Sequence, residues 1–362
     1  MDTSRTPGCM VYSCTLRSND GYTWAEHMNT ITRMQALRIT TYGEPEVARW
    51  QEMPIPEPGP GEVLVRVAAA GINFMDVHTR QGKYHDSVTY PVRAPCTLGM
   101  EGAGVVEKVG PGSTDFAPGD RVAWCVSWGA FATYACVPST RLVRVPEGLT
   151  LVDAAGVLFH GLTAHYLAYD VGQLQPGHTI LVHAGGGNIA NLLIQLAVAR
   201  GVRVLSTASN EAKQARAREA GAEVMAYTDF DTRVRALTDG KGVDVCYDAI
   251  GKPTLRQSFA ATRRKGLVVN YGSVGGPVKD LDPIELGEAG SLYLTRPRLA
   301  DHIAEPETLR WRADEIFQHI IAGRLRPALR YENGWEHIVP AMEALESRTS
   351  LEKVVVRVSQ DA

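Results

Sequence analysis

One stretch constrains this chain more than any other. Residues 179–184 form a short run (Thr-Ile-Leu-Val-His-Ala) that leads directly into Gly185-Gly186-Gly187-Asn188-Ile189-Ala190. Helix-forming residues continue from there over 189–200. A β-like run, a glycine turn of the form G-x-G-x-x-A and a helix together make the turn of a dinucleotide-binding βαβ unit. In that unit Gly185 allows the tight turn, and Gly187 lets the backbone approach a pyrophosphate lying at the helix N-terminus. Ala190 stands where a third glycine would let helix and strand pack closely. A purely structural strand–helix turn is the alternative. The same window is the most apolar in the chain. It nevertheless holds His183, three glycines, Asn188, Asn191 and Gln195, a polar load that argues against a membrane span.

The surroundings extend the pattern. Strand-like runs at 202–207, 223–227, 243–249 and 267–271 alternate with helical segments. Gly221 is placed to stop the helix over 211–220. Such alternation predicts a doubly wound parallel sheet. The end of its second strand selects the dinucleotide. NAD sites place a carboxylate there, whereas this chain has Ser206, Thr207 and Ser209, with no acid before Glu211. With Lys213 just beyond and Tyr227 ending the next strand, the set suits the 2′-phosphate of NADPH. Read alone, Lys213 would be an ordinary exposed helix lysine.

The remainder of the 362 residues reads differently. Residues 1–33 lack sustained periodicity and read as a poorly ordered extension; Asp2, Asp20 and Glu26 argue against an import presequence. Ordered structure is expected from Met34. A proline-rich approach at Pro54, Pro56, Pro58 and Pro60 precedes a strand at 63–67, and glycine turns separate β-branched runs up to Gly119. That rhythm predicts a β-rich unit. A net charge of −3 excludes a broadly basic protein that grips nucleic acid, and Arg263-Arg264-Lys265 reads as solvated loop charge. Six cysteines without a CxxC pair read as reduced thiols of a cytoplasmic protein.

Several segments carry a family resemblance that spans most of the chain from Met34 onward: Gly71-Ile72-Asn73-Phe74-Met75-Asp76, GMEGAG over 99–104, Gly119-Asp120-Arg121-Val122, Gly161-Leu162-Thr163, and GSLYLTRP over 290–297. With them the chain resembles the quinone oxidoreductase (zeta-crystallin-like) branch of the medium-chain dehydrogenase/reductase superfamily. The resemblance implies an α/β protein with two domains. A GroES-like catalytic domain would comprise 34–157 and 305–362, and a Rossmann NADPH-binding domain 158–304. It also implies a homodimer formed through the strand around 291–296. Zinc-dependent relatives carry cysteine and histidine where Asn73 and Met100 stand, and neither replacement is a good zinc ligand. No metal is therefore expected.

The implied chemistry is hydride transfer from NADPH to a quinone or related α,β-unsaturated carbonyl. A 2-enoyl-thioester or biosynthetic enone reductase is one alternative, and an NADPH-binding protein without redox turnover is another. Charge building on the carbonyl oxygen needs a donor. The candidates are Asn73, Tyr84 and His160, the last standing where many relatives have lysine. Each has a bland alternative: a turn residue, a packed loop tyrosine and a structural histidine. Resemblance extends the cofactor contacts to Asn73, Thr163, Tyr271, Gly272 and Lys353. Trp124, Trp128 and Phe131 are read either as an aromatic wall for a flat substrate or as core.

Overall fold

The computed structural model describes residues 32–347 and 351–358. The extension expected over 1–33 lies, up to residue 31, outside the described residues. The first strand, Arg33–Ile39, pairs antiparallel with Arg49–Pro54 and with Cys96–Thr97.

A larger sheet follows, in the order Leu329–Asn333, Lys353–Arg357, Glu62–Gly71, Glu101–Val109, Arg121–Cys125, Leu142–Arg144; Tyr134–Pro138 also pairs with Glu62–Gly71. All its pairings are antiparallel except that between Leu329–Asn333 and Lys353–Arg357. The strand expected at 63–67 extends to Gly71 because Ala68, Ala69 and Ala70 stay buried. Near the C-terminus the chain re-enters this sheet, with Val355 opposite Gly71 and Val356 opposite Ala70.

The second sheet has six strands, all parallel. Their order is Glu223–Met225, Arg203–Thr207, Thr179–Val182, Val243–Asp248, Thr262–Asn270, Tyr293–Thr295. In chain order this is 3-2-1-4-5-6, the doubly wound arrangement that opens a crevice where strand order reverses, here beside Thr179–Val182. The strands Thr179–Val182 and Val243–Asp248 are largely buried, as expected of strands covered on both faces.

The helix Leu151–Tyr166 runs between the sheets and carries residues of the site. It starts at Thr150, whose hydroxyl accepts the Asp153 N–H at 3.0 Å. Glycines let it pack closely. A Cβ on Gly156 would stand 2.5 Å from Val355, and one on Gly161 would stand 2.8 Å from Ile316. The Gly161-Leu162-Thr163 motif is thus partly a contact with the helix Pro306–Ile321. That helix begins with Pro306 in its first turn, where a missing N–H costs nothing. Among the described residues, no helix is long and apolar enough to cross a membrane.

Candidate active site

The glycine turn works by close approach. None of Gly185, Gly186 and Gly187 adopts positive φ; the left-handed residue here is Ala184, at φ 56°. A Cβ on Gly185 would stand 2.1 Å from the Ser206 hydroxyl, and one on Gly186 would stand 2.5 Å from the Lys213 Cβ. The turn is therefore pressed against both the second strand and the helix Glu211–Glu219. Gly187 is the N-cap of Asn188–Ala199 and brings no side-chain cap, so the first-turn N–H groups of that helix are left for a ligand. Arg216 braces the turn from behind. It donates to Gly186 O at 2.9 Å, to Asn188 Oδ1 at 2.7 Å and to Leu351 O.

A cleft of about 480 Å³ opens here, with Gly186, Gly187, Asn188, Ser209, Lys213 and Tyr227 on its walls. Asn210 caps Glu211–Glu219 by accepting the Lys213 N–H at 3.0 Å, which fixes the start of the helix that carries this lysine. The Tyr227 hydroxyl accepts the Ala184 N–H at 3.1 Å. Gly185, Ala190, Ser206 and Thr207 lie behind this surface. Ser206 donates to Val182 O at 2.8 Å, and the Thr207 hydroxyl meets His183 Nδ1 at 2.7 Å. Both hydroxyls point inward, so of the three expected at the strand end only Ser209 lines the cleft. Glu211 is exposed and pairs with Arg218 at 2.7 Å.

A second cleft, of about 510 Å³, is lined by Tyr84, Tyr90, Phe159, Thr163, Tyr166, Ile189 and Tyr271, with Met75 and several charged side chains. Asn188 and Ile189, consecutive at one helix start, therefore face different clefts. Thr163 is oriented by donating to Phe159 O at 2.8 Å. Gly272 lies beside this cleft and accepts from Arg296 at 2.8 Å. The Tyr84 ring meets Tyr90 and Trp128 edge-on, and its hydroxyl is 3.4 Å from His78 Nδ1. Burial pushes the Tyr84 hydroxyl well above the usual phenol range, so it stays protonated. Burial, with Lys83 nearby, lowers His78 to about 4, leaving that ring neutral at pH 7. Of the three expected aromatics, only Trp128 backs the cleft; Trp124 and Phe131 are fully buried core.

The remaining candidates occupy a third place. Glu101, fully buried, accepts the Phe159 N–H at 2.7 Å, the Asn73 amide at 2.9 Å and the Lys353 ammonium at 2.7 Å. The second amide hydrogen of Asn73 goes to Gly71 O at 3.1 Å, and its oxygen accepts from Lys353. In this arrangement Asn73 has no N–H to offer a substrate oxygen, and Lys353 serves Glu101 and Asn73 rather than either cleft. His160 faces a small void shared with Asn188, Arg216 and Lys353. Burial, reinforced by Lys353 and Arg216, holds its imidazole well below the ordinary range and therefore neutral.

Asp76 joins this network by accepting the Asn73 N–H at 2.8 Å and the Met100 N–H at 2.9 Å. Burial outweighs those bonds and pushes its carboxyl up to about 7. A carboxyl raised by folding binds its proton more tightly in the folded chain. Its contribution to stability is full below the unfolded value and is lost as pH rises through the folded one. Urea unfolding is expected to show stability falling by about 2–3 kcal/mol from about pH 5 to about pH 8. Asp76→Asn should flatten that slope; an unchanged slope would assign the titration elsewhere.

Sequence reasoning missed Glu101, Arg216, Arg296 and Arg298. Glu101 had a signal, being the lone acid of the apolar run 98–106. The arginines had none, because Arg216 sits in a polar helix and the other two are exposed.

Comparison with known proteins agrees with this architecture. Residues 59–147 match the alcohol dehydrogenase GroES-like domain, and residues 189–299 match the family described as zinc-binding dehydrogenase. A quinone oxidoreductase of Pseudomonas aeruginosa is 39% identical over 295 residues, covering 80% of this chain and 89% of the relative. A 2-haloacrylate reductase of a Burkholderia species is 36% identical over 303 residues, covering 82% and 90%. The crystal structure of Escherichia coli quinone oxidoreductase complexed with NADPH superposes with a TM-score of 0.84 at 30% identity, covering 90% of this chain and 100% of that one.

The second family description names zinc, and the donor set here does not fit it. Asn73 spends its amide as described, Met100 is a buried thioether, and Glu101 is neutralised by Lys353. Among the described residues, no group of three or more His, Cys, Asp or Glu is placed to hold a metal ion. With the sheet order, the glycine turn and the relatives in agreement, the chain belongs to the quinone oxidoreductase branch of the medium-chain dehydrogenase/reductase superfamily.

Proposed function

We propose that this chain is an NADPH-dependent, zinc-independent reductase that passes hydride to a quinone or related α,β-unsaturated carbonyl. One observation carries the reading: consecutive residues at a single helix start, Asn188 and Ile189, face two separate clefts. One cleft offers Lys213, Ser209 and Tyr227 to the adenosine 2′-phosphate. The other offers an aromatic chamber, with Thr163 and Tyr271, to a nicotinamide and a flat acceptor. The names of the relatives support the same reading.

NADPH, when bound, supplies the hydride. The protein's part is to bind, to orient and to place a proton. Gly186, Gly187 and the open helix N-terminus fit the pyrophosphate. The Lys213 ammonium meets the 2′-phosphate, and Glu211, turned to Arg218, does not oppose it. Tyr84, kept protonated by burial, donates to the carbonyl oxygen as negative charge builds there. A quinone takes up the hydride and a proton to become a hydroquinone; an enone takes hydride at its β-carbon and a proton at its α-carbon. The same reading includes a homodimer through 291–296, since Tyr293–Thr295 is the outer strand of its sheet and Tyr293 is exposed.

Steady-state oxidation of NADPH and of NADH against quinones, enones and 2-enoyl thioesters tests the reading. Turnover of quinones or simple enones with NADPH strongly preferred is expected. Turnover of thioesters alone would replace the substrate class. Tight NADPH binding without any turnover would leave a binding protein.

A further inference from the structure

The aromatic cleft carries an unbalanced charge. Lys83, Arg296 and Arg298 lie on its lining. Its lining carboxylate among the described residues is Asp86, whose side chain is 91% exposed and sits 3.6 Å from His85. Arg296 is fixed by donating to Asn270 O at 2.6 Å and Gly272 O at 2.8 Å, and Arg298 by donating to the Thr89 hydroxyl. Those hydrogen-bond partners are neutral, so the bonds position the two guanidinium groups without themselves cancelling charge. The whole chain carries a net charge of −3, so this local excess of positive charge runs against its composition.

Like charges gathered at one cleft raise each other's energy. Partial desolvation in the cleft wall and the neighbouring Arg298 act against the charged form of Arg296, and outweigh Tyr166 and Asp248, which favour it. An anion arriving between them relieves that repulsion, and low-dielectric aromatic walls focus the field that draws it in. On the other side, Tyr84 and Tyr90 meet edge to face, with centroids 5.7 Å apart, and present ring surface to a flat molecule. The cleft therefore offers a planar apolar seat with cations to one side.

We propose that the preferred substrates carry a carboxylate or comparable anion attached to the conjugated carbonyl system, held by Arg298 with Lys83 and Arg296. This rests on the reductase reading above and narrows its substrate class. The redox step is unchanged: hydride and a proton are added across the conjugated bond, and the carboxylate is a handle that neither gains nor loses a bond.

The test compares 3-benzoylacrylate with its neutral methyl ester, using the NADPH-loaded protein, its Arg298→Gln and Lys83→Gln variants, and a neutral quinone as control. Because the ester is intrinsically the better electrophile, the readout is the acid-to-ester ratio of kcat/KM. Arg298→Gln is expected to lower that ratio about tenfold, and Lys83→Gln to lower it less. Added salt should depress turnover of the acid more than that of the ester. NADPH affinity is expected to hold in both variants, whose changed side chains are exposed. An equal fall for acid and ester overturns the proposal. So does a matching loss of NADPH affinity, which would assign these cations to the cofactor. If the wild type reduces the quinone but not the acid, the anion proposal fails alone; if it reduces nothing, the reductase reading falls as well.

Discussion

Tyr84→Phe is expected to lower kcat by about 10²–10³-fold, the usual cost of removing one donor from a developing oxyanion, while NADPH affinity stays near that of the wild type. The expectation follows from where the hydroxyl sits. Tyr84 lines the cleft with Thr163 and Tyr271, its ring is held edge-on by Tyr90 and Trp128, and burial keeps its proton on. Phenylalanine keeps the ring and its packing, so a loss of turnover would belong to the hydroxyl. The alternative donors are less well placed. Asn73 has spent both amide hydrogens, and His160 faces a different void with a neutral ring. Pre-steady-state measurement of the chemical step at saturating NADPH checks the effect. An unchanged rate would return Tyr84 to the role of a packed loop residue.

The second large effect is expected from Lys213→Ala. Loss of a charged hydrogen bond to the 2′-phosphate should weaken NADPH by about 1.5–3 kcal/mol, roughly 10- to 100-fold in Kd. NADH has no such phosphate and should bind nearly as before. Lys213 is held in place by the Asn210 cap and by the missing Cβ of Gly186, so the helix that carries it stands close against the glycine turn. Titration of both cofactors into wild type and variant separates the outcomes. Equal losses for NADPH and NADH would make Lys213 a structural element of the cleft wall rather than the reader of the phosphate.

Local pattern made the nucleotide-binding half legible. The strand before Gly185, the helix after it and the spacing to Lys213 all lie within a few dozen residues, and their periodicities are those of the structure. The glycines were legible as a turn, but their physical reason was not: close approach to Ser206 and Lys213 depends on tertiary packing, and the left-handed residue is an alanine. The inward turn of the Ser206 and Thr207 hydroxyls was hidden for the same reason, since their partners come from neighbouring strands.

The catalytic half was less readable. Tyr84 could be named from its local motif. The network of Asn73, Glu101 and Lys353 joins residues separated by 28, 252 and 280 positions in the chain. No periodicity reports that Lys353, opening the last strand, meets an asparagine that caps the helix Phe74–Arg80. Family resemblance alone suggested Asn73 and Lys353 as cofactor contacts, whereas in the folded chain they hold one another. The cationic lining of the substrate cleft stayed hidden too, because Lys83 and the two arginines come from segments far apart in the chain.

The most direct test of the central claim is to trace the transferred hydrogen. With NADPH deuterated at the reactive face of its nicotinamide ring, a conjugated enone as acceptor and the wild-type protein as catalyst, the account predicts one deuterium in the product, at the carbon β to the carbonyl, read by mass spectrometry and NMR. Reduced product without that label, or NADPH bound and never oxidised, would contradict it.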